Sequence, residues 1–290
     1  MNLTDLRSHL HKIEKLSDEY WLTNLDDRKK KELEFHDMHR DRPKVDEMQE
    51  SDPDTYEKLF GNKKFYSTVA LSSNYIEEWI RINSKDKIFL DYACGDGIHA
   101  IKSAQAGAKL AIGIDISRNS VENAAIDAKT HGVSDNTYFL QADAENTKLP
   151  DQSIDLIICS GMLHHLDLSY AFPELRRILA PGGKILAAEA LDYNPIIKLY
   201  RTITPQMRTD WEKAHILDMS DVKFAERFFD IGEIKFWHIT SIIGPYLPKL
   251  LPLLNTLDKI LTKVPVIKYL AWIFTFELIS KEKKEVQTNL

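Results

Sequence analysis

The feature that most limits the fold of this chain is a unit repeated between Lys87 and Glu189: a short apolar run, a turn, then a stretch of helical period. KIFLDYA (Lys87–Ala93), KLAIGID (Lys109–Asp115), TYFLQAD (Thr137–Asp143), SIDLIICSG (Ser153–Gly161) and KILAAEA (Lys184–Ala190) are of strand length and rich in β-branched residues. Between the second and third lies a helical stretch with Ser117 as N-cap, Val121, Ala124, Ala125 and Ala128 on one face, and Gly132 as its stop. Leu166–Leu179 reads as another helix, closed by a turn at Pro181, Gly182 and Gly183. Strands that alternate with helices form a parallel sheet covered on both faces, because each right-handed crossover needs a helix to return the chain.

Further strands are predicted at Glu233–Ile243 and Trp272–Ser280. The expected class is therefore α/β, a Rossmann-like doubly wound, mostly parallel seven-stranded sheet. Four segments are expected: a helical N-terminal lid over 1–64, a core over 65–191, an inserted substrate cap over 192–232, and C-terminal strands with an inserted lipophilic helix over 233–290. In the first of these, the charge run at 26–44 reads as a solvated helical face.

In an open parallel sheet, ligands bind at the carboxyl ends of the strands. Four of these ends carry Asp91 with the loop ACGDG, Asp115, Asp143, and Ser160 with Gly161. Gly95, Gly97 and Ala100 satisfy a dinucleotide fingerprint, yet Asp91 and Asp96 would repel a pyrophosphate, which seeks bare N–H groups at a helix start. The same carboxylates suit an adenosine that carries cationic groups.

Over roughly 65–243 the chain resembles the class I S-adenosylmethionine-dependent methyltransferases of small-molecule type. Asp91, Ala93, Gly95 and Gly97 match the family's first motif with alanine at its first glycine, and LPDQSIDLI and LAPGGKILAAEA match later ones. The resemblance implies S-adenosyl-L-methionine as cofactor. Asp115 would bind ribose, Asp143 the adenine amino group, Ile116 and Ala144 the ring, and Ser160 and Gly161 the methionine part. Met162 would border the acceptor. The segment EFHD (34–37), with Phe65 and Tyr66, would help cover the cofactor.

His164 and His165 stand at the catalytic edge, and His165 is the first choice for a base on an acceptor hydroxyl. Neither His164, His165 and Asp167 nor His36, Asp37 and His39 has the compact spacing of a metal motif, so no metal is expected. Tyr193, Tyr200, Arg201 and Trp211 are candidates to line an acceptor site in the cap. A net charge of −6 disfavours nucleic acid as partner, and CSGMLHHL stands where base and amine methylases carry a Pro-Pro-aromatic motif. The expected acceptor is thus a small or lipid-like molecule methylated on oxygen or carbon. Two other uses of these residues stay open, an NAD-type enzyme and a non-catalytic binding subunit.

With two cysteines, no zinc spacing and a charged N-terminus, a cytoplasmic chain is expected. The lipophilic stretch at 247–268 has leucines three and four apart with interspersed lysines. Core, homodimer interface and peripheral membrane contact are all open to it.

Overall fold

The computed structural model describes residues 2–16 and 18–281; residues 1, 17 and 282–290 of the outer segments lie outside the described residues. Its centre is a seven-stranded sheet of β1 (Ile88–Tyr92), β2 (Leu110–Asp115), β3 (Thr137–Gln141), β4 (Ile154–Ser160), β5 (Leu179–Ala190), β6 (Phe229–Trp237) and β7 (Ile273–Ser280). The order is β3-β2-β1-β4-β5-β7-β6, parallel throughout except for β7, which runs antiparallel to both neighbours. Strand order reverses between β1 and β4, where a crevice opens at the strands' carboxyl ends. β1 and β2 are almost wholly buried, as strands covered on both faces must be.

Before the sheet come α1 (Leu3–Glu14), α2 (Asp18–Asn24), α3 (Asp27–Arg40), α4 (Arg42–Ser51), α5 (Pro53–Phe60), α6 (Lys63–Tyr66) and α7 (Ala70–Asn83). Within it lie α8 (Ile98–Gln105), α9 (Arg118–Thr130) and α10 (Leu168–Ile178); α11 (Pro195–Ile203), α12 (Asp210–Ala214), α13 (Met219–Ala225) and α14 (Leu251–Leu261) follow β5. Ser117 caps α9 as expected, accepting the Ser120 N–H, and Gly132 ends it in left-handed backbone.

Several expectations need correction. The N-terminal segment is more than a lid: Leu6, Leu10, Ile13 and Trp21 pack into the main core, because they form the apolar face of their helices. Ala125 points to solvent, since α9 buries only the narrow stripe of Ser120, Ala124 and Ala128. No helix joins β3 to β4; residues 142–153 cross without one. The turn at Pro181–Gly183 does not precede β5 but bulges from it, as pairing jumps from Ile154 with Leu179 to Leu156 with Lys184. β6 starts earlier than expected and stops at Trp237, because His238 adopts φ +65° and turns the chain into α14's approach. By contrast, the lipophilic stretch agrees with its prolines: it forms regular helix only from Leu251, with Pro252 in its first turn, where a missing N–H costs nothing.

Candidate active site

The loop after β1 is shaped by two left-handed glycines. Gly95 has φ +51°, and a side chain there would meet the Arg40 guanidinium at 2.7 Å. Gly97 has φ +72° and opens α8, and a Cβ there would stand 2.5 Å from the Phe139 ring. Ala93 adopts φ +55°, so the alanine that departs from the family motif takes left-handed backbone that L side chains disfavour.

The acids at the strand ends converge on a cavity of about 330 Å³. Asp115 accepts the Gly95 N–H at 2.8 Å and the Ser117 N–H at 2.9 Å, which fixes the loop to the second strand. Burial raises its pKa. Asp91 accepts the Ala100 N–H at 3.2 Å, and burial pushes its carboxyl up to about 8 against the pull of that bond, with Asp115 adding to the rise. Asp96 pairs with Arg40 at 2.9 Å and Arg42 at 3.4 Å. The repulsion expected of Asp91 and Asp96 is therefore weakened: burial favours the neutral form of Asp91, and Asp96 is already paired.

The charge run at 26–44 is likewise not a solvated face. Arg28, Glu32, His36 and Arg40 recur every four residues on α3 and line the cofactor-sized cavity together with Lys29. Glu32 is only 4% exposed. Lys29 bonds Asp143 at 2.7 Å and Glu145 at 2.9 Å; burial alone would lower its pKa, but these two carboxylates raise it on balance. Arg28 pairs with Glu145 at 2.5 Å and donates to the His165 carbonyl at 2.9 Å. Asp37 of EFHD accepts the Ser117 hydroxyl at 2.5 Å, so α3 is tied across the ends of the second and third strands.

A second cavity, of about 1040 Å³, joins the first at His36, Ser160, Gly161 and His165. His165 lines both, while His164 lines only the larger one. Each ring is held by a buried carboxylate through Nδ1: His164 by Glu189 at 2.7 Å and His165 by Glu32 at 2.9 Å. Glu189 also accepts the Met162 and Leu163 N–H groups at 2.9 and 2.8 Å. Burial opposes a proton on His164, yet the Glu189 carboxylate outweighs it and raises the pKa. On His36 burial prevails, aided by His165 and Arg40, and holds the ring well below its ordinary range. Ligand atoms of His164, His165 and Glu212 lie within 4.8 Å of one another, as do those of Glu32, His36 and His165, so either trio could hold a divalent ion. Asp167, by contrast, caps α10.

Asp91, Ala93, Gly95, Asp115, Ile116, Asp143, Ala144, Ser160 and Gly161 all line the smaller cavity, and Gly97 shapes its loop. Tyr200 and Arg201 line the larger one. Four side chains fall elsewhere than expected. Tyr66 lies against Trp272 in the larger cavity rather than in the cofactor's, because α6 passes over the strand edge beyond it. Met162 faces the smaller cavity, since Glu189 binds its N–H. Tyr193 packs on Tyr269 and accepts the Met219 N–H. Trp211 stacks on His215 under the Arg28 guanidinium and lines neither cavity. EFHD pointed to the end of α3, but Arg28, Lys29, Glu32 and Arg40 on that helix were missed, as were Glu189, Arg208 and Glu212; the four-residue period of Arg28, Glu32, His36 and Arg40 offered a further signal.

The profile of the methyltransferase-domain family matches residues 90–187, the stretch from β1 to β5 that supplies the strand-end acids. The chain carries a class I S-adenosylmethionine-dependent methyltransferase domain. S-adenosylmethionine is the cofactor of this methyltransferase domain. The chain is 36% identical over 103 residues to 27-O-demethylrifamycin SV methyltransferase of Amycolatopsis mediterranei, covering 35% of this chain and 38% of that relative. It is 31% identical over 142 residues to ubiquinone biosynthesis O-methyltransferase of Pseudomonas fluorescens, covering 49% of this chain and 59% of the relative. Both matches span less than two thirds of the relative's length. The fold is similar to geranyl diphosphate C-methyltransferase of Streptomyces coelicolor, with a TM-score of 0.54 and 15% identity over 73% of this chain and 80% of that one. The residues present fit the cofactor: Asp115 offers carboxylate oxygens, Ile116, Ala144 and Met162 an apolar slot, and Arg40 a cation above Gly95.

Proposed function

We propose that this chain transfers a methyl group to a small, partly apolar acceptor, with oxygen or carbon as the accepting atom. The observation that carries the reading is the junction of the two cavities at Ser160, Gly161 and His165, which puts an acceptor chamber against the cofactor seat. When bound, S-adenosylmethionine supplies an electrophilic methyl group. Asp115 and Asp143 would grip its adenosine, and Arg40 its carboxylate. A single large chamber beside the reacting end supports catalysis through alignment, the main source of rate in such a displacement.

The chamber's chemistry supports an acceptor of mixed character. Phe65, Tyr66, Tyr200, Tyr246 and Trp272 supply aromatic wall, while Arg201 and Arg208 supply cations for an oxygen-rich end. His165 is the group placed to take a proton from an acceptor hydroxyl. Glu32 holds its Nδ1, which leaves Nε2 for the acceptor, and this pairing orients the ring as a carboxylate orients a catalytic imidazole elsewhere.

The test is transfer of labelled methyl from S-adenosylmethionine to fractionated small molecules and lipids, with His165→Ala beside the native chain. Loss of about 10²-fold or more in rate with cofactor affinity unchanged is expected if His165 is the base. An added chelator should leave the native rate unchanged. A chelator-sensitive rate would instead assign the role to an ion at one of the two trios that share His165.

A further inference from the structure

Of the lipophilic stretch before β7, Leu254 is buried, but Leu250, Leu253, Leu257 and Ile260 are exposed. Their spacing of three, four and three places them on one stripe of α14 and its lead-in. The orientation is fixed from within. Asp258, fully buried, accepts the Thr240 N–H at 2.7 Å and the Ser241 N–H at 3.1 Å, so the opposite face must look outward. Only the face of Leu254 and Asp258 belongs to the interior.

A second apolar stripe is exposed on another helix after β5. On α11, Ile196, Leu199 and Ile203 are 76%, 62% and 67% exposed. Asn194, the cap of α11, donates to the Leu270 carbonyl at 2.7 Å, which joins the base of that helix to the segment leaving α14. Ile196, Ile243 and Tyr246 belong at once to this surface and to the wall of the larger cavity. The acceptor chamber therefore opens into an apolar surface, where a monomer in water would be expected to present polar residues.

The charge around the stripe selects among occupants. Lys249, Lys259 and Lys263 are exposed, and the only acid between 244 and 271 is the buried Asp258. A two-fold dimer through this face would set lysines against lysines, because an isologous contact repeats the same patch on both sides. Anionic headgroups would neutralise them while the leucines enter the acyl boundary. No helix among the described residues is long and apolar enough to span a bilayer, so contact would be at its surface.

We propose that the faces of α11 and α14 dock the chain on an anionic lipid bilayer, with the mouth of the larger cavity turned to the lipid. That the acceptor enters from the bilayer rests on the methyl-transfer reading above; the docking itself does not.

Vesicle sedimentation with the full chain tests the docking without any cofactor. Binding to vesicles of phosphatidylglycerol and phosphatidylcholine is expected, with little binding to phosphatidylcholine alone. Reversal of Lys249, Lys259 and Lys263 to glutamate should weaken it by about 10²-fold or more, at roughly one factor of five per lysine removed. Leu253→Glu with Leu257→Glu should abolish it. Both substitutions lie on exposed positions, so an unchanged thermal midpoint certifies the fold. Absence of binding by the folded native chain would overturn the proposal, as would sedimentation equilibrium showing a dimer that Leu253→Glu dissociates. Calorimetry with S-adenosylhomocysteine, performed in parallel, reports on the cofactor reading alone.

Discussion

Ala93 carries a cost that a glycine would not. Left-handed backbone disfavours an L side chain by about 1–2 kcal/mol, while glycine loses about 0.4–1 kcal/mol through the freedom of its unfolded chain. Ala93→Gly is thus expected to raise stability by up to about 1 kcal/mol in urea unfolding. A clear loss of stability would mean that the methyl group, which packs against the main core, outweighs the backbone term. At this scale the positions of the strand-end residues were legible in the sequence, because turn residues and acids follow apolar runs at fixed intervals. Their charge states were not. Burial favours the neutral form of Asp91, and the partner of Asp96 is Arg40, 56 residues away.

At the scale of elements, the strands could be read because burial on both faces leaves long runs of isoleucine, leucine and alanine. The roles of helices could not. The run at 26–44 looks solvated because its charges are dense, yet α3 buries those charges against oppositely charged ends of other elements. The end of β6 was equally hidden, since His238 is a poor residue for φ +65° and is held there by its partners. Its Nε2 meets the Ser72 hydroxyl and its Nδ1 the Ser241 hydroxyl, both at 2.9 Å. Burial lowers its pKa to about 4, although nearby Asp258 works the other way. The unfolded ring takes a proton near pH 6.5 and the folded ring only near 4, so stability is full above pH 6.5 and declines as pH falls between these values. His238→Gln should flatten this part of the pH–stability curve. An unaltered slope would mean that the ring is not what protonates there.

At the scale of the molecule, two cavities share one wall, and additions to the common sheet complete both. Helix α3 closes the smaller cavity, and the N-terminal helices together with the insertions after β5 enclose the larger one. The sheet and its strand-end acids therefore carry the family likeness, while most of the larger cavity's wall comes from outside residues 90–187. The cap was legible in the sequence only as a break in rhythm, because its side chains meet partners far along the chain, as Glu32 meets Thr209.

The central claim is that the crevice at the strand ends seats S-adenosylmethionine, with Asp115 on its ribose, and not a pyrophosphate cofactor. Calorimetry of the full chain with S-adenosylmethionine, S-adenosylhomocysteine and NAD tests it most directly, with Asp115→Ala beside the native protein. One site for each sulfur-containing ligand and none for NAD is expected, and Asp115→Ala should weaken binding by about 1–3 kcal/mol. Tight NAD binding without affinity for S-adenosylmethionine, or an Asp115→Ala variant that binds as well as the native chain, would contradict it.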